Sequence, residues 1–184
     1  MPYGIILLPD HPAANTALSA YAERVAADVP TIMRIDETCL PHVTLVHVDA
    51  TREQAAELWD RSLASVSPVT EVKPSGLQFG TFPPGDRYLP QGGVYVGLEA
   101  VRRAALEAAH RRVLEHARDL GLPVLSGAGE DFRPHVTLAA LELMEHVAAP
   151  LPPAEVMAPF GARLAWGEMG PYGTFSRIEA TAVS

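Results

Sequence analysis

The five residues PHVTL occur twice in this chain, at positions 41–45 and again at positions 134–138. The histidines of the two copies lie 93 residues apart, which is close to half of the 184 residues. Each copy is preceded by a predicted helix and followed by predicted strands. The spacing therefore predicts a duplicated strand-helix-strand unit. We expect two lobes related by an approximate twofold axis, which would bring the two copies face to face.

Each copy of the repeat is β-branched and apolar, which is typical of a strand. Side chains alternate between the two faces of a strand, so His42 and Thr44 share one face while Val43 and Leu45 share the other. The aliphatic face can pack under helices, and the second copy repeats this arrangement. Two such strands facing each other would place two imidazoles and two hydroxyls around one cavity.

The rest of the chain alternates between strand and helix patterns, which predicts an α/β (α+β) fold. Residues 51–66 carry the clearest helix signals, with a capping box of Thr51 and Gln54 and an apolar face that includes Leu63. The proline-rich stretch 149–161 is predicted to be irregular, with at most a short helical turn. Further helices are predicted at 10–29 and 100–120, a loop at 83–91, and strands at 3–8, 42–49, 76–82, 92–100, 133–142, 162–169 and 173–183.

The composition is that of an ordinary globular domain, with 48% hydrophobic and 20% charged residues. The length fits one domain that spans residues 1–184, or two small lobes that share a core. The formal net charge of −8 argues against a broad nucleic-acid-binding surface, which needs an excess of Lys and Arg. It permits a small anionic substrate in a locally positive cleft.

The single cysteine, Cys39, excludes an internal disulfide and favours a reducing compartment. The apolar start of the chain is short and lacks the basic segment of a signal peptide. No apolar run approaches the roughly 20 residues of a membrane helix. We therefore expect a cytoplasmic monomer that does not associate with membranes.

A pair of histidines with neighbouring hydroxyls suits phosphoryl chemistry. A histidine titrates near pH 6.5, so one imidazole can remove a proton from water while the other, protonated, gives a proton to the leaving oxygen. Threonine hydroxyls can donate hydrogen bonds to phosphate oxygens and stabilise developing charge. This chemistry requires no metal and no cofactor.

Two H-x-T motifs followed by a hydrophobic residue, one in each half of the chain, resemble the pattern of the 2H phosphoesterase superfamily. This superfamily includes the bacterial RNA 2′,3′-cyclic phosphodiesterases, also called 2′-5′ RNA ligase-like proteins. The resemblance rests on PHVTL at 41–45 and FRPHVTLA at 132–139, and it extends over nearly the whole order of predicted elements. It implies a bilobal, pseudo-twofold fold in which antiparallel sheets line a central cleft and the helices pack outside.

The same resemblance implies what the site does. Members of the superfamily open or form 2′,3′-cyclic or 2′-5′ phosphodiester linkages without a metal. By this resemblance, His42 and His135 are the catalytic pair, and Thr44 and Thr137 are the phosphate ligands. During hydrolysis His135 would act as the base and His42 as the acid. The substrate would be a small nucleotide or an RNA end.

The flanks of the repeat depart from the superfamily pattern. Many members carry a basic residue after the second motif, whereas this chain has Ala140 at that position. Arg133 is the best cationic candidate beside the cleft. The loop at 81–93 is long enough to cover a substrate. Three aromatic residues are candidates for stacking on a base, with core packing or loop anchoring as the alternative for each: Phe132, Tyr88 and Tyr172.

Other polar residues have simpler interpretations. His47 lies five residues after His42 and is predicted to face the opposite side of the strand. His110 and His116 are six residues apart on a predicted helix and are expected to be exposed to solvent. Cys39 is either a nucleophile paired with a histidine or an idle buried thiol, and the second interpretation is the more usual.

Two alternatives to the phosphoesterase hypothesis stay open. One is a non-catalytic module that binds a nucleotide or RNA end on the same scaffold, for example after a duplication that keeps the fold without activity. Retention of both histidines and both threonines counts against it. The other is a metal-dependent hydrolase, which is disfavoured because no carboxylate cluster accompanies either histidine at ligand spacing.

Overall fold

The computed structural model describes residues 1–36, 38–144 and 147–183. The strands are β1 (Pro2–Pro9), β2 (Thr31–Arg34), β3 (Val43–Asp49), β4 (Val69–Val72), β5 (Pro74–Phe82), β6 (Gly93–Ala100), β7 (His135–Leu141), β8 (Phe160–Glu168) and β9 (Ala180–Thr181). The helices are α1 (Pro12–Ala26), α2 (Arg52–Leu63), α3 (Ala104–Asp119) and α4 (Ala154–Met157). Two short 3₁₀ turns cover Gly129–Asp131 and Pro171–Gly173.

The strands form one antiparallel sheet in the order β4-β8-β1-β3-β7-β6-β5, with β2 paired to β7 and β9 paired to β8. The predicted α+β class and the antiparallel pairing are confirmed. Within the described residues, β3 and β7, which carry the two motifs, pair through Val43 and Val136 alone. On either side of this pair lie two larger halves, β4-β8-β1-β3 and β7-β6-β5. The two lobes that the repeat predicts would correspond to these halves.

Both repeat strands carry a one-residue bulge at the same place in the motif. The register of β3 against β1 skips Leu45, and the register of β7 against β6 skips Leu138. These two leucines are the last residues of the two PHVTL copies, and both are buried. A bulge shifts the alternation of side chains by one residue, so the residues that follow each motif change face.

Two of the helices pack on the repeat strand that belongs to the other half of the chain. Helix α1 packs against β7, whereas α3 packs against β3 and also contacts α2. Each repeat strand is therefore covered by a helix from the other half of the chain, which ties the halves together.

In the part of the chain that the structure describes, no helix combines the length and apolarity that crossing a membrane requires.

Helix α2 begins where the sequence predicts. The Thr51 hydroxyl accepts a hydrogen bond from the Gln54 backbone N–H, and the Gln54 side chain accepts one from the Thr51 backbone N–H. This reciprocal pair satisfies two donors that the first turn of a helix otherwise leaves free. The predicted apolar face is only partly correct, because Leu63 is exposed at the end of the helix.

The predicted C-terminal strand at 173–183 is wrong except for the two residues of β9. Phe175 is buried within this segment, and its ring lies 4.9 Å from that of His42 and 5.7 Å from that of His47, measured between ring centroids. The segment is therefore a packed, irregular connection that lies against His42 and His47 at the repeat strand β3. This packing depends on residues far away in the sequence, and the local β-branched pattern does not report it.

Other boundaries differ by smaller amounts. Helix α1 ends at Ala26, so Val29 lies beyond it, and α3 begins at Ala104 because β6 continues to Ala100. The short strands β2 and β4 were not predicted. Each contains only four residues and pairs at the side of a longer strand, so the tertiary partner rather than the local pattern defines it.

Gly97 marks a point where β6 passes close to the second motif. A Cβ atom at Gly97 would lie 2.8 Å from the carbonyl oxygen of Val136, whereas one at Gly76 in β5 would meet nothing within 4 Å. We expect Gly97→Ala to lower the free energy of unfolding by about 1–3 kcal/mol, because backbone atoms cannot move aside easily. The control Gly76→Ala should change it by less than about 0.5 kcal/mol in the same denaturant titration. Equal stabilities of the two variants would contradict the close approach of β6 to Val136.

Candidate active site

A cleft of about 480 Å³ lies over the point where the two repeat strands meet. All four polar residues of the repeat line it: His42, Thr44, His135 and Thr137. The structure therefore brings together the side chains that the sequence selects as catalytic and phosphate-binding candidates.

The pairing of the two motif valines explains this arrangement. The strands are antiparallel, so continuing the register by one residue in one direction places His42 beside Thr137. Continuing it in the other direction places Thr44 beside His135. The valines themselves are buried in the core on the other face. Each side of the crossing thus presents one imidazole and one hydroxyl to the cleft.

The two catalytic candidates are oriented in the same way. Nδ1 of His42 lies 2.8 Å from the carbonyl oxygen of Leu40, and Nδ1 of His135 lies 2.6 Å from that of Arg133. A carbonyl oxygen can only accept, so Nδ1 carries the hydrogen in both rings and Nε2 is left for the cleft. In each case the acceptor precedes the proline of the motif. The repeated sequence therefore leads to the same ring orientation twice.

Burial controls the protonation of this pair. His42 is 9% exposed. Desolvation, opposed by the hydrogen bond to Leu40, lowers the pKa of His42 to about 4. Desolvation also lowers the pKa of His135, which is more exposed than His42. Both imidazoles are therefore neutral at neutral pH in the free protein, and an anion bound between them would favour protonation of one.

His47 is a cleft residue whose predicted position is wrong. Strict alternation predicts that it faces away from His42, but it lines the same cleft. The bulge at Leu45 is the reason, because one extra residue returns His47 to the face of Thr44. The pattern of a single strand contains no signal for such a bulge.

The His47 ring is buried and hydrogen-bonded at both nitrogens. Nε2 lies 3.2 Å from Oγ1 of Thr44, and Nδ1 lies 3.1 Å from the hydroxyl oxygen of Tyr88. Desolvation lowers the pKa of His47 to about 3, so it is a neutral hydrogen-bonding group. Gly4 on β1 provides the space for the ring, since a Cβ atom there would lie 3.0 Å from Cδ2 of His47.

Ala140 is the counterpart of His47 on the other repeat strand. It lies three residues after Thr137, as His47 lies three residues after the first motif threonine, and it is buried and paired with Tyr95 on β6. No charge is therefore available at this position. Among the described residues that line the cleft, Arg133 and Asp131 are the ones with a formal charge.

The three aromatic candidates all reach the cleft wall but differ in accessibility. Phe132 is 2% exposed, and its ring stacks on that of His110 with 3.8 Å between centroids, so it is a core residue and not an open platform. The hydroxyl of Tyr88 is held by hydrogen bonds, and Tyr172 lies in a turn at φ 61°. Phe79, which the sequence analysis missed, is 49% exposed at the cleft. Phe79 lies in a predicted strand next to the long loop, and this position could have identified it as a candidate.

The expectation that His110 is exposed is wrong. Its ring is buried, with Nδ1 donating to the carbonyl of Leu45 at 2.8 Å and Nε2 accepting from the Gly129 N–H at 3.0 Å. His110 therefore connects the bulge of the first motif to the segment before the second motif. His116 is half-buried and forms a hydrogen bond with Ser65.

Cys39 fits the interpretation as an idle thiol. It is buried, and desolvation together with the nearby charge of Asp36 raises the pKa of its thiol to about 11. The reactive thiolate is therefore absent at neutral pH. Across residues 1–36, 38–144 and 147–183, no group of three or more His, Cys, Asp or Glu side chains is arranged to hold a metal ion.

The buried histidines make stability depend on pH. An unfolded histidine binds a proton near pH 6.5, whereas His42 and His47 in the folded protein bind one near pH 4 and pH 3. Between these values the unfolded state holds more protons, so the folded state loses stability as the pH falls. We expect the free energy of unfolding to decrease by about 2 kcal/mol per histidine between pH 7 and pH 5.

Denaturant unfolding at several pH values measures this dependence. The variant His42→Gln should lose less stability than the wild type over the same pH range, while His11→Gln, at an exposed position, should follow the wild type. A wild-type stability that does not change between pH 7 and pH 5 would contradict the burial of neutral imidazoles.

Solved structures that share this fold are distant from the chain in sequence. Escherichia coli LigT complexed with 3′-AMP is 15% identical, with a TM-score of 0.62, and the match covers 100% of both chains. TT0787 of Thermus thermophilus is 15% identical, with a TM-score of 0.66 and coverage of 99% of this chain and 97% of that one. Usb1 of Kluyveromyces marxianus is 10% identical, with a TM-score of 0.54 and coverage of 95% of each.

A family-level match carries the comparison further. No curated protein matches the chain by sequence. The model of the 2′-5′ RNA ligase superfamily, however, matches residues 36–163, which are more than half of the chain and contain both copies of PHVTL. The chain therefore belongs to the 2′-5′ RNA ligase superfamily, as the resemblance of its two H-x-T motifs predicts.

Proposed function

We propose that this protein is a metal-independent phosphoesterase that hydrolyses a 2′,3′-cyclic phosphate on a nucleotide or RNA end, or a related 2′-5′ phosphodiester. The observation that carries the proposal is the pair of imidazoles on one face of the β3–β7 crossing. Each has Nδ1 bonded to a backbone carbonyl and Nε2 left for the cleft. Binding alone does not need two titratable groups held in this way. The complex of E. coli LigT with 3′-AMP supports a nucleotide as the ligand of this fold.

His135 is the proposed base and His42 the proposed acid. His135 is partly exposed, so water can reach it, and its lowered pKa keeps Nε2 free to accept a proton. Water attacks phosphorus and gives a proton to Nε2 of His135, while the bond from phosphorus to the leaving ribose oxygen breaks. This oxygen takes a proton from His42. The acid must therefore be protonated despite its burial, and the negative charge of the bound phosphate favours that state.

The charge balance of the cleft favours a substrate with a single negative charge. Among the described lining residues, the cation Arg133 and the anion Asp131 offset each other. A cyclic phosphodiester carries one negative charge and suits this balance better than a phosphate monoester that carries two. Thr44 and Thr137 both line the cleft beside the proposed position of the reacting phosphate, and the exposed ring of Phe79 offers a surface for the base.

A non-catalytic module that binds a nucleotide or RNA end is the second candidate function. Ala140 favours it, because this chain lacks a charge where many superfamily members carry a basic residue. The neutral state of the two motif histidines in the free protein is also compatible with binding alone. Turnover measurements separate the two functions.

The test is turnover of 2′,3′-cyclic nucleotides, and of an oligonucleotide that ends in a 2′,3′-cyclic phosphate, with EDTA in excess. We expect turnover to persist in EDTA and to fall by at least about 100-fold in His42→Ala and in His135→Ala, because each removes one proton transfer. The control His116→Ala removes a histidine that contacts Ser65 outside the cleft and should keep the wild-type rate.

Each result has a distinct meaning. Turnover that disappears in EDTA would overturn the metal-independent mechanism. A protein that binds these compounds without converting any of them would be the binding module. Unfolding curves of the two alanine variants show whether a lost rate reflects lost structure.

Arg133 provides a separate test of how the substrate charge is recognised. Arg133→Gln removes the cation but keeps the backbone carbonyl that orients His135. We expect KM to rise about tenfold, with kcat changed by less than about threefold, since this contact serves the ground state and the transition state alike. Arg118→Gln, at an exposed position of α3 outside the cleft, is the control and should leave both constants unchanged. A fall in kcat at constant KM would contradict a binding role for Arg133.

A further inference from the structure

A chain of hydrogen bonds runs from Thr44 through His47 and Tyr88 to the backbone carbonyl of Leu125. The hydroxyl of Tyr88 lies 3.1 Å from the Leu125 oxygen and 3.1 Å from Nδ1 of His47. A carbonyl can only accept, so the single hydrogen of the Tyr88 hydroxyl is donated to Leu125. In its bond with His47, Tyr88 must therefore accept. It follows that Nδ1 of His47 carries the ring hydrogen.

This tautomer decides the role of the Thr44 hydroxyl. His47 is neutral because burial lowers its pKa to about 3, and a neutral imidazole has one N–H. Nε2 of His47 is then an acceptor, and its partner at 3.2 Å, the hydroxyl of Thr44, must be the donor. The hydrogen of Thr44 is directed to His47, so Thr44 offers only its lone pairs to a ligand in the cleft.

Thr137 has no equivalent neighbour on its strand. Ala140 occupies the position of β7 that corresponds to His47 on β3, and an alanine side chain cannot accept a hydrogen bond. The two copies of PHVTL are therefore identical in sequence but differ in their chemistry. Thr137 can direct its hydrogen to a phosphate oxygen, whereas Thr44 cannot.

We propose that His47 is a positioning residue that gives the two motif threonines different tasks: Thr137 donates to the phosphate, and Thr44 accepts from the attacking water. This inference rests on the proposed function and deepens it. Extending the Val43–Val136 pair by one residue sets Thr44 opposite His135, the proposed base, and both line the cleft. A water molecule that donates one hydrogen to Nε2 of His135 and the other to Thr44 directs a lone pair toward phosphorus. His47 thus acts through Thr44 and does not touch the reacting atoms.

The tautomer of His47 is the direct test, measured from the imidazole ¹⁵N chemical shifts of the full-length protein. We expect the Nδ1–H form in the wild type. Tyr88→Phe removes the acceptor of that hydrogen and should convert His47 to the Nε2–H form, which donates to Thr44 and releases the Thr44 hydrogen to the cleft. This variant should then bind inorganic phosphate at least about threefold more tightly than the wild type.

Tyr95→Phe is the matched control. It removes another phenol hydroxyl from the same cleft, one that can donate its single hydrogen to the carbonyl of Tyr88 or of Tyr172 and has no bond to His47. This control should retain both the Nδ1–H tautomer and the wild-type phosphate affinity. A purely structural role for the Tyr88 hydroxyl would instead weaken phosphate binding in Tyr88→Phe.

Nearly isosteric variants of the threonines separate binding from turnover. Thr137→Val should weaken inorganic phosphate binding at least about fivefold, because a donor to an anion is lost. Thr44→Val should leave phosphate affinity within about twofold of the wild type while kcat for the cyclic substrate falls at least about tenfold. Equal weakening of phosphate binding in both variants would overturn the proposal.

The outcomes also distinguish this inference from the proposed function. An Nε2–H tautomer of His47 in the free wild type, or weaker phosphate binding by Tyr88→Phe, overturns the role of His47 even if the protein hydrolyses cyclic phosphates. The protein could show the expected tautomer and phosphate affinities and yet have no turnover. This result would refute the phosphoesterase function and the contact of Thr44 with the attacking water. It would support the division in which Thr137 is the donor and Thr44 the acceptor. Absence of phosphate binding by the wild type counts against the division between the two threonines, whereas turnover of the cyclic substrates decides the proposed function.

Discussion

Val43 and Val136 join the two repeat strands and hold them with their polar faces toward the cleft. Among the described residues, these two valines make the one ladder pair that joins β3 to β7, and both are buried under helices. Because strand faces alternate, seating the valines in the core turns the polar residues of both motifs to the open side. A shift of the register by one residue would bury the imidazoles and expose the valines. The same apolar contact thus stabilises the fold and assembles the cleft.

Burial determines the protonation state of His42 in the cleft. Removing His42 from water lowers its pKa to about 4, so its ring is neutral in the free protein. The neutral ring offers no positive charge to an incoming anion. An anion close to a desolvated imidazole stabilises its protonated state. On the proposed mechanism, protonation of His42 and binding of the anionic substrate are therefore coupled.

The two halves of the cleft have the same bulge in the repeat strand. They differ in whether the large side chain lies on the repeat strand or on its neighbour. On β3 the large His47 lies opposite Gly4, and on β7 the small Ala140 lies opposite Tyr95. A Cβ atom at Gly4 would lie 2.4 Å from the Phe175 ring, so this side has no room for a larger residue. Exchange of large and small partners keeps both sides packed while placing different polar groups beside each motif. Two identical pentapeptides therefore have different neighbours in the cleft.

Local patterns in the sequence were enough for a large part of this structure. Alternation within PHVTL predicted that His42, Thr44 and their counterparts share a face, and the cleft does contain all four. The capping box of α2 and the α+β class were equally accessible, because they depend on residues within one or two turns of each other. Membership of the 2′-5′ RNA ligase superfamily also followed from the motif pair, which the family match confirms. These features need no knowledge of distant contacts.

Periodicity and motif spacing thus predict the polar face of each repeat strand and the type of the elements around it. Contacts between distant parts of the chain set the other features: the bulge at Leu45 that turns His47 into the cleft, the burial of Phe132 against His110, and the packing of Phe175 where a strand was expected. Each of these depends on which residues from distant parts of the chain meet. A bulge arises from pairing with β1, and burial arises from packing against a helix or strand that local periodicity does not specify. The repeat alone makes the two halves look equivalent, and only the neighbours that folding brings to each copy make them chemically distinct.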